Sequence, residues 1–588
     1  MNINKSYIYD AIVLKFQGKT ALITGSGTGI GLAISSKFAE NGASVIILGR
    51  RKEPLIDAAE KIKDIISKVQ SGASVSIYDG VDVSDATRID DMFEDIVKSG
   101  KKIDYIVNNA GVSGPVMCFP HMNMDDFKST VAIHLTGTFW TSVRSLLALS
   151  ENGKIITIST FFTEERPLEQ RPYRFRSPYT AAQGAKNRLA EALSWELVDK
   201  DIISIATNPG PVHSDRIYKT VYPKAAAEFM RVSGFDKMTP EETEKASEKV
   251  LPLLGEDEKT ISKGIAGDNE KTLGSLLEKI SSVAEKIQKN TSRMIADGQF
   301  LSQIQVAEMV LTLCDDNIAS TLNGKVIPGD RVFYPVKPHV GANTPQYSKP
   351  DLTGKCIFMT INASNHNDID RVISVASHVK VCGGNAVCII SKDMDESLAS
   401  TISEKFHTHK ADISDQGQIS TWIRTATEKV GSIVAIMHFT GDVPDSQFID
   451  LKRSEWDNLV DRFVNTPASV LQCALESFVP GGSKDPRMYA GKTGLVVLVG
   501  PQLPAGKVRG EQRARVEVFR GALRPFTTTV NQELSDVLKS QIRTHLILPG
   551  SVSGAESDNE KINGALDYFL SGNATSSAQV IHCIDESR

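Results

Sequence analysis

KTALITGSGTGIG, residues 19–31, decides the fold. ALITG (21–25) is an apolar, β-branched run of strand length, and glycines 25, 29 and 31 form a turn before a helical stretch beginning near Leu32. A strand feeding such a turn and then a helix aims backbone N–H groups and the positive helix end at one anion, the pyrophosphate of a dinucleotide. VIILG (45–49) follows at the distance a crossover helix requires, so Gly25, Ser26, Thr28, Gly29, Ile30 and Gly31 are predicted to cradle a dinucleotide. The second strand ends Gly49-Arg50-Arg51-Lys52, with no carboxylate to accept from a ribose hydroxyl. Arg50 and Arg51 would suit an ordinary solvated turn, but cations at this place favour a 2′-phosphate and hence NADP(H).

Working outward, the same pattern is written a second time. FQGKTALITG near 16 is echoed by LTGKCIFMTI near 352, KIDYIVNNAG (102–111) by SIVAIMHFTG (432–441), and GKIITIST (153–160) by TGLVVLVG (493–500). IATNPGPV (205–212) is echoed by LILPGSV (546–552). Short buried runs alternate with helical stretches in both halves, the pattern of parallel sheets with crossover helices. The fold class expected is α/β, with two tandem Rossmann-like, doubly wound parallel sheets, the second degenerate. One large sheet would not explain the ordered repeat. The boundaries expected are 1–335 for a catalytic unit, 336–350 for a linker rich in Pro, Gly and Asn, and 351–588 for a non-catalytic unit.

Composition narrows the class. In 588 residues, 41% are apolar and 23% charged, with a net charge of −5, so disorder, nucleic-acid binding and electrostatic membrane binding are not expected. No apolar run is long enough to span a bilayer, and MNINKSYIYDAIVLKF makes a poor signal peptide. The 7 cysteines are scattered without a CxxC pair, which predicts reduced thiols, no metal site and a cytoplasmic setting.

TGxxxGIG at 24–31 together with NNAG at 108–111 resembles the short-chain dehydrogenase/reductase family. The resemblance implies adenine contacts at Asp82 and Val83, cofactor contacts at Asn108, Ala110, Gly111, Pro209, Gly210 and Val212, and catalysis at Tyr179 in SPYTAAQGAK. Tyr179 would be the acid, with Ser159 or Thr160 orienting the substrate oxygen. Two positions depart from the family pattern. Gln183 stands where YxxxK has its lysine, so the charge is missing; Lys186 would supply it only if the helix is rotated or its stem reaches back. His134, in AIHLTGTFW, stands where an asparagine usually helps hold a proton-relay water. Slow catalysis and a cofactor-binding pseudoenzyme or scaffold both remain open on this reading.

Nearly a hundred residues separate NPGPVHSDRI (208–217) from VAEMVLTLCDD (306–316). This insertion, about 216–300, is helical in pattern and lies where the family has its substrate lid; an oligomerisation arm is the other reading. With PGPVHSDRI, STFF (159–162) and RPYRFRSPY (171–179), the whole chain resembles one half of the bifunctional malonyl-CoA reductases of the 3-hydroxypropionate cycle. That likeness implies an acyl-CoA or semialdehyde substrate and a homodimer or higher assembly. It makes Arg171, Arg174, Arg176 and Arg216 candidates for a carboxylate or a CoA phosphate, or plain surface arginines. A smaller carbonyl substrate, such as malonate semialdehyde, is the alternative. Cys118 is more readily a structural thiol than a nucleophile. In the second half INASNHND (361–368) replaces the glycine turn, Gly500 the serine, Val516 the tyrosine and Arg520 the lysine, so packing is its expected role.

Overall fold

The structure is a computed structural model that describes residues 14–161, 174–214, 217–267, 269–331, 349–479, 485–504, 510–550, 555–571 and 580–583. Short runs of Val, Ile, Leu and Ala form its strands, and these run parallel because crossover helices bury both faces. The first sheet contains β1 (Thr20–Thr24), β2 (Ser44–Gly49), β3 (Val75–Asp79), β4 (Ile103–Asn108), β5 (Leu149–Ile158), β6 (Ile203–Pro209) and β7 (Val326–Gly329). Their spatial order is β3-β2-β1-β4-β5-β6-β7. Leu22 lies opposite Ile46 on one side and Ile106 on the other, which sets the register at the centre.

The second sheet repeats this plan with β8 (Lys355–Ile361), β9 (Asn385–Ser391), β10 (Thr408–Ala411), β11 (Ser432–Phe439), β12 (Thr493–Val499), β13 (Gln541–Pro549) and β14 (Val580–Cys583). Its order, β10-β9-β8-β11-β12-β13-β14, is that of the first. In each sheet the winding reverses beside the first strand, and the crevice outside the carboxyl ends there is the place for a ligand. Among the described residues no helix is long and apolar enough to cross a membrane, and six cysteines are buried and free.

Between β6 and β7 the chain inserts helices Tyr222–Ser233, Pro240–Val250, Glu258–Ile265 and Glu270–Ser292. They carry a small core of their own built on Ala226, Met230, Val250, Leu276 and Ile280.

The two units share one core. Helix Ser177–Glu196 follows β5, its counterpart Gly510–Gln532 follows β12, and the two cross at Gly184 and Gly521. Phe139 stacks on Trp456 at 3.7 Å, and Phe526 packs edge-on against Phe119 and Phe127. The contacts come in symmetric pairs. Glu196, at the end of the first helix, accepts from the backbone N–H groups of Phe448 and Ile449, both at 3.0 Å. Glu533, just beyond the second helix, accepts from the N–H groups of Phe119 at 2.7 Å and Phe175 at 2.6 Å. The repeat read in the sequence is thus also a two-fold packing of one half on the other.

Candidate active site

β1 ends at Thr24, and the chain turns through Gly25 at φ +65°. A Cβ at Gly25 would lie 2.9 Å from the Ala110 Cα, so the turn needs glycine both for its backbone angle and for its close approach to the NNAG loop. Thr24 and Asn109 clamp the two segments. Thr24 Oγ1 accepts from the N–H groups of Asn109 at 2.9 Å and Ala110 at 2.8 Å, and Asn109 Nδ2 donates to the Thr24 carbonyl at 2.9 Å. Helix Gly29–Glu40 then begins without a side-chain cap from Thr28. Such an end suits an anion.

A cleft of about 1240 Å³ opens over this turn. Gly25, Thr28, Gly29, Ile30 and Gly31 line it, as do Arg50, Arg51, Asp82 and Val83. Ala110, Gly111, Pro209, Gly210 and Val212 line it too. Arg50 pairs with Asp82 at 3.5 Å across the ends of β2 and β3, while the Arg50 side chain stays largely in solvent. Two of the residues predicted for the cofactor do not line the cleft. Ser26 is buried, and its Oγ accepts from the Leu48 N–H at 2.9 Å, tying the turn to β2. Asn108 is buried behind the cleft and donates to Ser142 Oγ at 2.9 Å.

The reacting groups stand on β5, the tyrosine helix and the His134 turn. Tyr179 lies in the first turn of helix Ser177–Glu196 and opens onto the cleft. Gln183 and Lys186, four and seven residues on, lie on the same helix face and line the same cleft. Ser159 Oγ donates to the Gln183 carbonyl at 3.1 Å, locking the end of β5 to this helix, and Thr160 stands beside it in the lining. His134 meets Tyr179 edge-on, the rings 5.2 Å apart and perpendicular. Its Nε2 lies 2.9 Å from the Val112 carbonyl oxygen and 3.2 Å from the Val112 nitrogen, so the tautomer decides which it bonds.

Three features bear on charge. The Arg176 guanidinium lies 3.9 Å over the Tyr179 ring, while its Nε and a terminal nitrogen donate to the Ser113 carbonyl at 3.2 and 2.9 Å. Lys186 is 1% exposed, and its Nζ donates to the Asn108 carbonyl at 3.4 Å. Burial lowers its pKa to about 7. Gln183 is 4% exposed, yet its Oε1 finds no hydrogen-bond partner among the described residues. A buried amide oxygen without a partner beside a cleft suits a hydroxyl donor, such as a ribose.

The arginines predicted for the substrate divide. Arg176 lines the cleft, whereas Arg174 does not and pairs with Asp536 of the second unit. The expectation that Arg174 binds substrate is corrected accordingly: Phe175, between them, has φ +70°, and that left-handed turn sends its neighbours apart. Arg171 and Arg216 lie outside the described residues. Sequence reasoning missed His213, Tyr218 and Tyr222, which line the other end of the cleft. Tyr218 bonds His213 Nδ1 at 2.5 Å and lies parallel to Phe300, 6.2 Å between centroids. Their signal was two tyrosines four apart in the helical segment just beyond NPGPV.

In the second unit the corresponding places are filled from within. Asp368 accepts from the N–H groups of Ser364 at 2.7 Å and Asp442 at 3.2 Å and pairs with Arg371, so a carboxylate of the chain itself sits at the start of helix His366–Val381. The Arg520 guanidinium, buried, donates to the carbonyls of Pro501, at 2.8 Å, and Pro549 at the ends of β12 and β13.

The model of the short chain dehydrogenases matches residues 19–222, and that of the enoyl-(acyl carrier protein) reductases matches residues 374–567. The first half is similar to an uncharacterized oxidoreductase of Bacillus subtilis, 33% identical over 35% of this chain and 71% of that one. It is also similar to a fatty acyl-CoA reductase of Acinetobacter baylyi, 32% identical over 36% of this chain and 72% of that one. Two solved structures match nearly end to end, the N-domain and the C-domain of bacterial malonyl-CoA reductase, each described with NADP. The N-domain has a TM-score of 0.69 at 15% identity and covers 96% of this chain and 97% of its own. The C-domain has a TM-score of 0.71 at 16% identity and covers 97% and 100%. At such identities the likeness is one of fold, and it extends to the tandem arrangement of both units. With its glycine turn, its tyrosine helix and relatives of this closeness, the chain belongs to the short-chain dehydrogenase/reductase family.

Proposed function

We propose that the protein reduces malonyl-CoA, or a related acyl-CoA, to malonate semialdehyde and CoA with NADPH. The observation that carries this reading is one cleft in which Tyr179, Thr160 and Arg176 meet beside the glycine turn and extend to the inserted helices. The uncapped start of helix Gly29–Glu40 fits the pyrophosphate, Gln183 Oε1 fits a ribose hydroxyl, and Arg50 and Arg51 fit a 2′-phosphate. When bound, the dinucleotide supplies a hydride to the carbonyl carbon of the substrate.

The residues of the chain do the rest. Thr160 and Tyr179 hydrogen-bond the thioester oxygen, and Tyr179 gives it a proton as negative charge develops there. Arg176, stacked on the ring, stabilises the phenolate left behind, a role for a cation that Gln183 cannot fill. The resulting hemithioacetal returns its hydroxyl proton to Tyr179, the carbonyl reforms, the C–S bond breaks, and the departing thiolate takes a proton from water. Arg176 is also the candidate to hold the free carboxylate of the substrate, and the inserted helices, through Tyr218 and Tyr222, close over it.

The test is NADPH oxidation with malonyl-CoA, with CoA release followed in parallel. One NADPH per CoA supports the proposal, and two would add reduction of the aldehyde. Turnover of free semialdehyde alone would favour a small-carbonyl reductase. Tight NADPH binding without turnover would favour the pseudoenzyme that the missing YxxxK lysine suggests.

Cofactor choice has a separate check. Replacing both Arg50 and Arg51 by Ala should weaken NADPH binding about 10- to 100-fold, the worth of one or two charge-assisted hydrogen bonds, and leave NADH binding nearly unchanged. Fluorescence titration of both nucleotides reads this. Equal loss for the two would place the arginines away from the 2′-phosphate.

A further inference from the structure

The second unit keeps no glycine turn and no tyrosine at the catalytic position, yet it reaches into the first at several buried points, one of them a carboxyl group. Glu533 is fully buried, and its two oxygens accept from the backbone N–H groups of Phe119 and Phe175, hundreds of residues away in the chain. Both segments carry the site. Phe175 precedes Arg176, whose guanidinium covers Tyr179. Phe119 belongs to the loop that continues NNAG, and Ser113 of that loop accepts both Arg176 bonds. The two segments are also joined directly, Met117 N–H donating to the Phe175 carbonyl at 2.9 Å. Phe175 holds φ +70°, a left-handed conformation that a bulky side chain does not adopt unaided, and its N–H is one that Glu533 fixes.

We propose that Glu533 is a positioning residue of the first unit's active site: its carboxyl group joins the Arg176–Tyr179 segment to the loop after NNAG and holds the two in register, while Gln472 Nε2, donating to the Phe119 carbonyl at 3.0 Å and the Met122 carbonyl at 2.8 Å, grips the loop alone. The catalytic side of this inference rests on the function proposed above; the positioning side does not. Its symmetric counterpart sharpens the point. Glu196 makes the same pair of backbone bonds in the opposite direction, to Phe448 and Ile449, but is neutralised by Arg515 at 3.0 Å and serves the unit without reacting groups. Glu533 instead faces Glu228 and its partner Arg231 from the inserted helix Tyr222–Ser233, and Cys118 from the loop; Asp536, further along its own element, is engaged by Arg174.

Burial first, and then the charge of Glu228, push the Glu533 carboxyl up to about 8 against the opposing pull of its two N–H donors. The folded chain therefore holds this proton more tightly than the unfolded chain. Its contribution to stability is full below the ordinary carboxylate range and declines as pH rises from 4.5 towards 8.

The experiment compares Glu533→Gln with Glu196→Gln in the full chain by hydrogen exchange, melting and turnover. Glutamine has one acceptor oxygen where the carboxyl group has two, so Glu533→Gln should speed exchange at 112–122 or 174–179. Glu196→Gln should do so only near 446–452. Turnover should fall on the order of 10- to 100-fold in Glu533→Gln alone, the cost of slightly misplacing a reacting group, with NADPH affinity kept. Its melting deficit should narrow as pH rises from 4.5 to about 8. Unchanged exchange at both active-site segments, or equal loss of turnover in both variants, would overturn the proposal. If Glu533→Gln does not fold, Glu533→Asp, which keeps both oxygens on a shorter stem, is read by the same exchange measurement. An inactive wild type would count against the function and leave the exchange result to decide the positioning role.

Discussion

Tyr179→Phe is expected to lower turnover about 10²- to 10⁴-fold, the usual worth of a positioned acid, while NADPH binds as before. The substitution removes one oxygen and leaves the ring. The contacts that place the ring, Arg176 over its face at 3.9 Å and His134 against it at 5.2 Å, need no hydroxyl, so the variant should fold and keep the site's shape. The loss should appear in kcat and in kcat/KM alike, because the proton is transferred only as charge develops on the substrate oxygen. Single-turnover reduction and nucleotide titration separate the two effects. A variant within a few-fold of wild type would remove Tyr179 from the chemistry. The natural second candidate would then be Lys186, whose pKa burial lowers to about 7.

The glycine turn, the alternation of strands and helices and the tyrosine helix were legible in the sequence because each is local. A strand, a turn and a helix specify one another within a few residues, and the 3.6-residue period alone puts Tyr179, Gln183 and Lys186 on one face. What was not legible depends on the other half of the chain. Arg174 and Arg176 are indistinguishable in RPYRFRSPY, and between them Phe175 takes a left-handed turn whose N–H donates to a carboxyl group 358 residues away. Lys186 reads as one turn out of place against YxxxK, and only the fold shows its Nζ on the Asn108 carbonyl. In the second half, the lost motifs were visible. What Asp368 and Arg520 do there was not, since the pairing of Asp368 with Arg371 and the bonds of Arg520 to the Pro501 and Pro549 carbonyls depend on the fold.

The largest effect on stability is expected at Gly184, where the tyrosine helix crosses its counterpart. Pro525, inside helix Gly510–Gln532, has no N–H to give the carbonyl four residues earlier, which is that of Gly521. That oxygen points along the direction a Cβ of Gly184 would take, and the ring of Pro525 would stand 2.8 Å from the same atom. Neither neighbour is the loose end of a side chain. Gly184→Ala must therefore push the helices apart, although their other contacts fill the shared core. Alanine is worth about 0.5–1 kcal/mol over glycine in a helix interior, and overpacking costs about 1–3 kcal/mol or more, so the net change should be destabilising. Gly184→Val should cost more. Denaturant unfolding of the full chain reads it, and turnover should fall with it because Gln183, next in the chain, is bonded to Ser159 through its carbonyl. The contact is reciprocal, a Cβ on Gly521 lying 2.7 Å from the Gly184 oxygen. Once one alanine has separated the helices, the second meets less resistance, so the double variant should lose clearly less than the sum of the singles. Additive losses, or a wild-type midpoint for Gly184→Ala, would mean that the helices do not meet there as closely as the two glycines allow.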